Sequence, residues 1–210
     1  MSDQAPKSLP SDLIAELTGF DPTRAGFGYE RPSDGLTNDW ITPRWVFEPL
    51  VCDAGEEGGC EAFDLDPCES DEQPWPIAKR GYRLGRGEDG LLLPWEGRVW
   101  CNPPYGRETP RWIDKMAEHG NGVMLIFARV ETKAFHRIWQ TADALLFFPK
   151  RVTFCRPDGK PAKSGTAPSC LVAWGKNNAY AIGNHAGALI DQWLWNEDMK
   201  LARPARTRTQ

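Results

Sequence analysis

Apolar residues in this chain come in two rhythms. Val123–Ala128 reads Val-Met-Leu-Ile-Phe-Ala with no polar interruption, Ala144–Pro149 reads as another buried strand, and Ser169–Trp174 as a last strand. Short continuous runs of this kind predict strands buried on both faces. Ala62–Pro67 predicts a shorter strand that ends in acids, and Arg98–Cys101 another. Between these runs the spacing turns helical. Thr42 as N-cap with Pro43 in the first helical position opens a helix to about Leu50. Thr109-Pro110 caps a second, which runs to about Glu118 and stops at Gly120. Glu131–Gln140 and Gly187–Trp195 complete the set, with one short helical stretch near Leu13–Leu17.

Strands alternating with helices imply a parallel sheet with right-handed crossovers. The last two strands are joined by residues 150–168, read as a long loop without a helix. A parallel pair needs a crossover, so this pair is expected to be antiparallel. The expected fold class is therefore α/β: a Rossmann-like sheet, mostly parallel with an antiparallel last strand. Residues 1–37, rich in Pro, Ser, Asp and Gly, read as a flexible arm. Residues 38–198 form the expected domain, and 199–210 a disordered basic tail. Residues 68–90 read as polar and irregular, and Cys52–Glu61 as a Gly/Glu loop.

At 210 residues and 40% apolar content the chain supports one domain with a real core. Trp100, Trp139 and Trp174 are expected in it. The net charge of −4 does not advertise a nucleic-acid binder, so such binding needs a local basic patch. Lys150, Arg151, Arg156, Lys160 and Lys163 face only Asp158 within residues 150–163, a local excess of +4. Arg203, Arg206 and Arg208 add to it in the tail. The six cysteines form no CxxC pair and no Cys/His cluster of zinc spacing, so no metal site is expected and the thiols read as free in a reducing cytoplasm. No apolar run is long enough to span a membrane.

The stretch with the most chemical content is Asn102-Pro103-Pro104-Tyr105. It follows the strand ending at Cys101 and precedes a helix, which puts it at the carboxyl end of a strand, where open α/β sheets bind ligands. Its residues suit methylation of a flat exocyclic amine. The amine nitrogen of adenine shares its lone pair with the ring and is a poor nucleophile. Two acceptors on its N–H groups pull it towards tetrahedral geometry. The Asn102 side-chain oxygen is one acceptor and the Pro103 carbonyl a second. Consecutive prolines fix φ and bring no N–H to compete. Tyr105 offers an aromatic face to a base. The work is positioning and electrostatics.

The chain resembles the phage-type DNA N-6-adenine methyltransferase (Dam) family. The matching segments are WITPRWVFEPL (40–50), FDLDPCES (63–70), GLLLPWEGRVWCNPPYG (90–106), Trp-Ile-x-Lys (112–115), FARVETKAFH (127–136) and FFPKRVTF (147–154). The resemblance implies dependence on S-adenosylmethionine, with double-stranded DNA as partner. It implies that Asn102, Pro103, Pro104 and Tyr105 are catalytic, and that Thr42 and Pro43 touch the methionine end of the cofactor. Asp64 and Asp66 would hold its amino group or ribose hydroxyls, and Phe154 would stack on a flipped base. It also implies a phage or prophage gene and a bacterial cytoplasm. Either relaxed specificity or a short target such as GATC fits, and the role fits host mimicry, protection against restriction or gene regulation. The number of subunits stays open.

One departure is plain. The wider superfamily has a Gly-rich loop after its first strand and this chain has none. By distance from Thr42, the Asp64/Asp66 strand takes the place of that loop. By its Asp-x-Asp-Pro form it resembles the following strand. Either way its carboxylates are expected at the cofactor edge, one aimed inward and one away, with Asp66 favoured. Asp89 is a candidate for the cofactor's adenine amine beside its reading as a turn residue. The basic 150–163 segment is expected to meet the DNA backbone. Arg129 ends a strand on the Asn102 edge and reads chiefly as an anchor. His119, His136 and His185 pair with nothing suited to a nucleophile. The rival readings are a methyltransferase of protein glutamine or RNA adenine, and a catalytically silent DNA-binding relative.

Overall fold

The computed structural model describes residues 40–51, 62–164 and 167–194. The expected arm with its helical stretch, the Gly/Glu loop at 52–61 and the basic tail lie outside the described residues. The core is a six-stranded sheet in the order β2-β1-β3-β4-β8-β5, where β1 is Phe63–Asp66, β2 Ala78–Gly81, β3 Val99–Cys101, β4 Gly122–Phe127, β5 Ala144–Phe147 and β8 Ser169–Trp174. Strands β2, β1, β3 and β4 pair in parallel. β8 inserts between β4 and β5, antiparallel to both. The α/β class and the antiparallel last strand follow the sequence reading.

The continuous apolar runs of β4 and β8 are explained by cores on both sides of the sheet, whereas Ala144–Pro149, expected buried, supplies the half-buried edge strand β5 with Phe147 45% exposed. Val123, Leu125, Leu171 and Ala173 face a core with Val46, Phe47, Leu50 and Ile182. Met124, Ile126, Cys170, Val172 and Trp174 face a second core with Trp112, Ile113, Met116, Phe135 and Ile138. Successive side chains leave a strand on opposite faces, so a strand covered twice is apolar at every position. The helices are α1 (Arg44–Phe47, continued as a 3-10 turn over Glu48–Leu50), α2 (Thr109–His119), α3 (Lys133–Thr141) and α4 (Lys176–Leu194). Gly120, at φ 71°, ends α2 in the left-handed region as its sequence position predicts.

Several expectations give way. The N-cap of α1 is Pro43, with no side-chain cap, so Thr42 lies outside the helix. α2 is preceded by Glu108 and begins at Thr109. The Thr109 hydroxyl accepts from Gly106 N at 2.9 Å instead of capping the helix. The 68–90 stretch contains an unexpected edge strand, β2, whose Lys79 and Arg80 are exposed. α4 begins at Lys176 rather than Gly187. Trp139 is 54% exposed, because Phe135 and Ile138 take the buried face of α3.

The 150–168 loop holds a hairpin of its own, β6 (Thr153–Cys155) with β7 (Pro161–Ser164). Its turn, Arg156-Pro157-Asp158-Gly159-Lys160, is closed by Arg156 N to Lys160 O at 2.9 Å. Asp158 accepts from Lys160 N, and Gly159 supplies φ 75°. Cys155 also exchanges backbone hydrogen bonds with Ile41, at 2.8 and 3.1 Å. The segment entering α1 is thus stitched to the hairpin.

Candidate active site

The strand β3 delivers Asn102 to the carboxyl edge of the parallel strands. Its side-chain amide is held from two sides. Nδ2 donates to the Trp40 carbonyl at 3.1 Å and to the Thr42 hydroxyl at 3.2 Å. Oδ1 accepts from the Tyr105 hydroxyl at 3.1 Å. Burial pushes the Tyr105 phenol well above its ordinary value, so it stays protonated and able to donate.

The carbonyls of the motif are not equivalent. Asn102 O accepts from the Cys68 thiol at 3.2 Å. Pro104 O accepts from the Thr109 hydroxyl at 3.3 Å. Pro103 O has no donor among the described residues. Asn102 Oδ1 keeps a second lone pair beside its bond from Tyr105, and Pro103 O keeps both. Pro103 is buried and Pro104 exposed. The Tyr105 ring lies parallel to Phe127 at 4.0 Å between centroids, an interplanar angle of 15°. Phe127 covers one face of that ring. Phe127 had no assigned part in the sequence reading.

Asp64 and Asp66 separate. A regular strand sends residues two apart to the same face. Here Asp64 N and Leu65 N both donate to Arg98 O, at 2.7 and 3.3 Å, and Phe63 and Leu65 enter opposite cores. Asp64 is level with Arg98, before β3 begins, away from the Asn102 edge. Its carboxylate takes Arg98 N and Lys79 Nζ, each at 2.8 Å. These two partners, Arg98 N foremost, hold its pKa below the usual value. The expectation that both acids sit at the ligand edge is corrected for Asp64. Asp66 is 4% exposed near the end of β1 and accepts from Cys68 N at 3.1 Å. Burial raises its pKa to about 7, with the Glu69 charge adding to the rise.

Register places Cys68 beside the motif: its sulfur is 3.7 Å from the Cys101 sulfur. The backbone at Gly90 lies so close to the Pro67 carbonyl that a Cβ would collide with it, which brings the 89–93 loop against the end of β1. Lys115 of α2 secures that loop by donating to Gly90 O, Leu91 O and Leu93 O at 2.9, 2.9 and 2.6 Å. Asp89 is half-buried and accepts from Leu91 N at 2.8 Å, the geometry of a turn residue. β1 is hydrogen-bonded directly to β3, so the Asp66 strand is the immediate neighbour of the motif strand.

Phe154 is 1% exposed, in the core and edge-on to Trp40 at 5.9 Å, so its ring presents no face for a base. This corrects its expected stacking role. Lys150, Arg151, Arg156 and Lys160 are all exposed, on the segment stitched to Ile41. The Lys163 side chain lies outside the described residues. Arg129 is exposed just beyond β4. His119 meets Gly97 O at 2.9 Å, His136 is exposed and His185 is buried. Cys68, Cys101, Cys155 and Cys170 are free thiols.

Among the described residues no group of three or more His, Cys, Asp or Glu is arranged to hold a metal ion. No described helix is long and apolar enough to cross a membrane.

The family model for DNA N-6-adenine-methyltransferase (Dam) matches residues 32–186, more than half of the chain, and the chain belongs to that family. No curated protein and no solved structure matches it.

Proposed function

We propose that this member of the DNA N-6-adenine-methyltransferase family moves the methyl group of S-adenosylmethionine to N6 of an adenine flipped out of duplex DNA. The observation that carries the reading is the Asn102 amide, held by three hydrogen bonds with a lone pair to spare on Oδ1, beside Pro103 O, which has no donor among the described residues. The exocyclic amine of adenine has two N–H groups, and two acceptors match it. Accepting both draws the nitrogen out of conjugation and concentrates its lone pair. The amine attacks in its neutral form and its surplus proton passes to water, so no strong base is required.

S-adenosylmethionine, when bound, supplies a methyl group on a positively charged sulfur, with a neutral thioether as leaving group. Asp66 fits the donor chemistry of that molecule. It is a buried carboxyl near the carboxyl end of a parallel strand, next to the motif strand. It would accept from the amino group or the ribose hydroxyls. Asp89, beside the Gly90 that packs on the Pro67 carbonyl, has one oxygen already engaged, and Pro43 follows the Thr42 that holds Asn102.

An adenine inside a duplex is unreachable, so the base must leave the stack at a cost of a few kcal/mol. Stacking on the face of Tyr105 not covered by Phe127 would return ~1–3 kcal/mol. Lys150, Arg151, Arg156 and Lys160 would hold the DNA backbone.

Asn102→Ala tests the assignment. It is expected to bind S-adenosylmethionine with unchanged affinity by calorimetry and to lose turnover by ~100-fold or more, the scale of removing one preorganised group at the reacting atom. Wild-type turnover in Asn102→Ala would remove Asn102 from the chemistry.

A further inference from the structure

We infer that Thr42 is a positioning residue for methyl transfer: the Trp40 carbonyl sets which end of the Asn102 amide faces inward, and the Thr42 hydroxyl holds that Nδ2 end in place so that Oδ1 meets the substrate amine. The inference rests on the proposed reaction and deepens it. An asparagine amide has an acceptor end and a donor end of nearly the same shape. Only the acceptor end can draw on an N–H. With the amide flipped, Nδ2 would confront the amine donor to donor, and the polarisation would be lost.

The structure supplies a lock for that choice. Both hydrogens of Nδ2 have acceptors, Trp40 O and Thr42 Oγ1. Oδ1 has the Tyr105 hydroxyl as donor. Flipping would set Oδ1 against the Trp40 carbonyl, acceptor to acceptor. Thr42 is 2% exposed, so water cannot readily replace its hydroxyl.

The lock is itself held. Ile41, between the two anchoring residues, exchanges both backbone hydrogen bonds with Cys155 of the hairpin. Trp75 Nε1 donates to Thr42 O at 3.2 Å. The Trp40 ring packs edge-on against Phe154. These contacts explain why a threonine that caps nothing is buried at this place. They also give it a part different from the cofactor contact that the family resemblance implies.

The two roles predict opposite kinetics. The full chain carrying Thr42→Val is assayed for transfer of tritiated methyl from S-adenosylmethionine to unmethylated duplex DNA, with cofactor affinity measured by calorimetry. In parallel, the Asn102 side-chain amide is followed by nitrogen–proton NMR, its signals identified by their loss in Asn102→Ala. A positioning role predicts that kcat falls roughly tenfold or more while cofactor Kd stays within about twofold. It also predicts that the amide signals move and exchange faster with water, and that Thr42→Ser restores both. Should Thr42→Val fail to fold, Thr42→Ala is read by the same criteria.

Unchanged kcat with unchanged amide signals overturns the inference. So does weakened cofactor binding with kcat intact, which would make Thr42 a cofactor contact. If the wild-type chain methylates no adenine, the proposed function fails on its own. The amide signals then decide positioning alone: movement reversed by Thr42→Ser sustains it, and no movement overturns it.

Discussion

Asp66 carries a carboxyl whose charge state changes in the neutral range, because burial raises its pKa to about 7. Accepting hydrogen bonds from an ammonium or from hydroxyls favours the carboxylate, so a cofactor held by Asp66 would lower that pKa and its binding would release a proton. Affinity for S-adenosylmethionine is therefore expected to rise severalfold between pH of about 6 and about 8, and Asp66→Asn to bind more weakly with that rise gone. A flat calorimetric profile in the parent would detach Asp66 from the cofactor. For stability the sign is opposite. The folded pKa lies above the unfolded value, so stability from the extra proton is present in acid and is lost as pH rises through about 7.

The sequence pointed to Asp66 over its neighbour, and it named Asn102. It could not show that a doubled contact at Arg98 turns Asp64 away, since bulges leave no mark in a period of two. Nor could it show that Phe127 occupies one face of Tyr105, which depends on how two strand ends meet.

Among the elements, the hairpin β6–β7 has the most to test. Replacing Lys150, Arg151, Arg156 and Lys160 by glutamine is expected to weaken duplex binding and flatten its salt dependence, by ~0.9 in the log–log slope per lost phosphate contact. Cofactor affinity should not change. An unaltered slope would place the DNA elsewhere. The hairpin had a legible sign, Pro157-Asp158-Gly159 between basic residues, although its strands of three and four residues are too short to register as a pattern.

Other elements were hidden for different reasons. β2 is an edge strand with charged exposed residues, as edges tend to be. α4 starts in a stretch of poor helix formers, Asn177, Asn178, Gly183 and Asn184. Tertiary contacts compensate at its first turn. Asn178 is fully buried, donates to Trp174 O and Asn121 Oδ1 at 2.7 and 3.0 Å, and accepts from Arg98 at 2.7 Å. By contrast β4 and β8 were legible, because burial on both faces leaves almost only apolar residues permissible, with Ser169 at the start of β8 the polar exception.

At the scale of the molecule, the parallel strands β2, β1, β3 and β4 bring Asp66 and the 102–105 motif to one edge, and the backbone of Ile41 ties the basic hairpin to the segment that holds Asn102. A chain of net charge −4 would meet DNA through that local surface and not through its overall field. The class and the antiparallel finish were open to reading because strand–helix alternation leaves few topologies. The stitching through Ile41 was not, since one bridging residue has no sequence signature.

The most direct measurement incubates the purified chain with tritiated-methyl S-adenosylmethionine and unmethylated duplex DNA, then separates the digested nucleosides. The account predicts label in N6-methyladenosine. Label confined to protein or RNA added alongside, or no label in DNA while the cofactor binds, would contradict it.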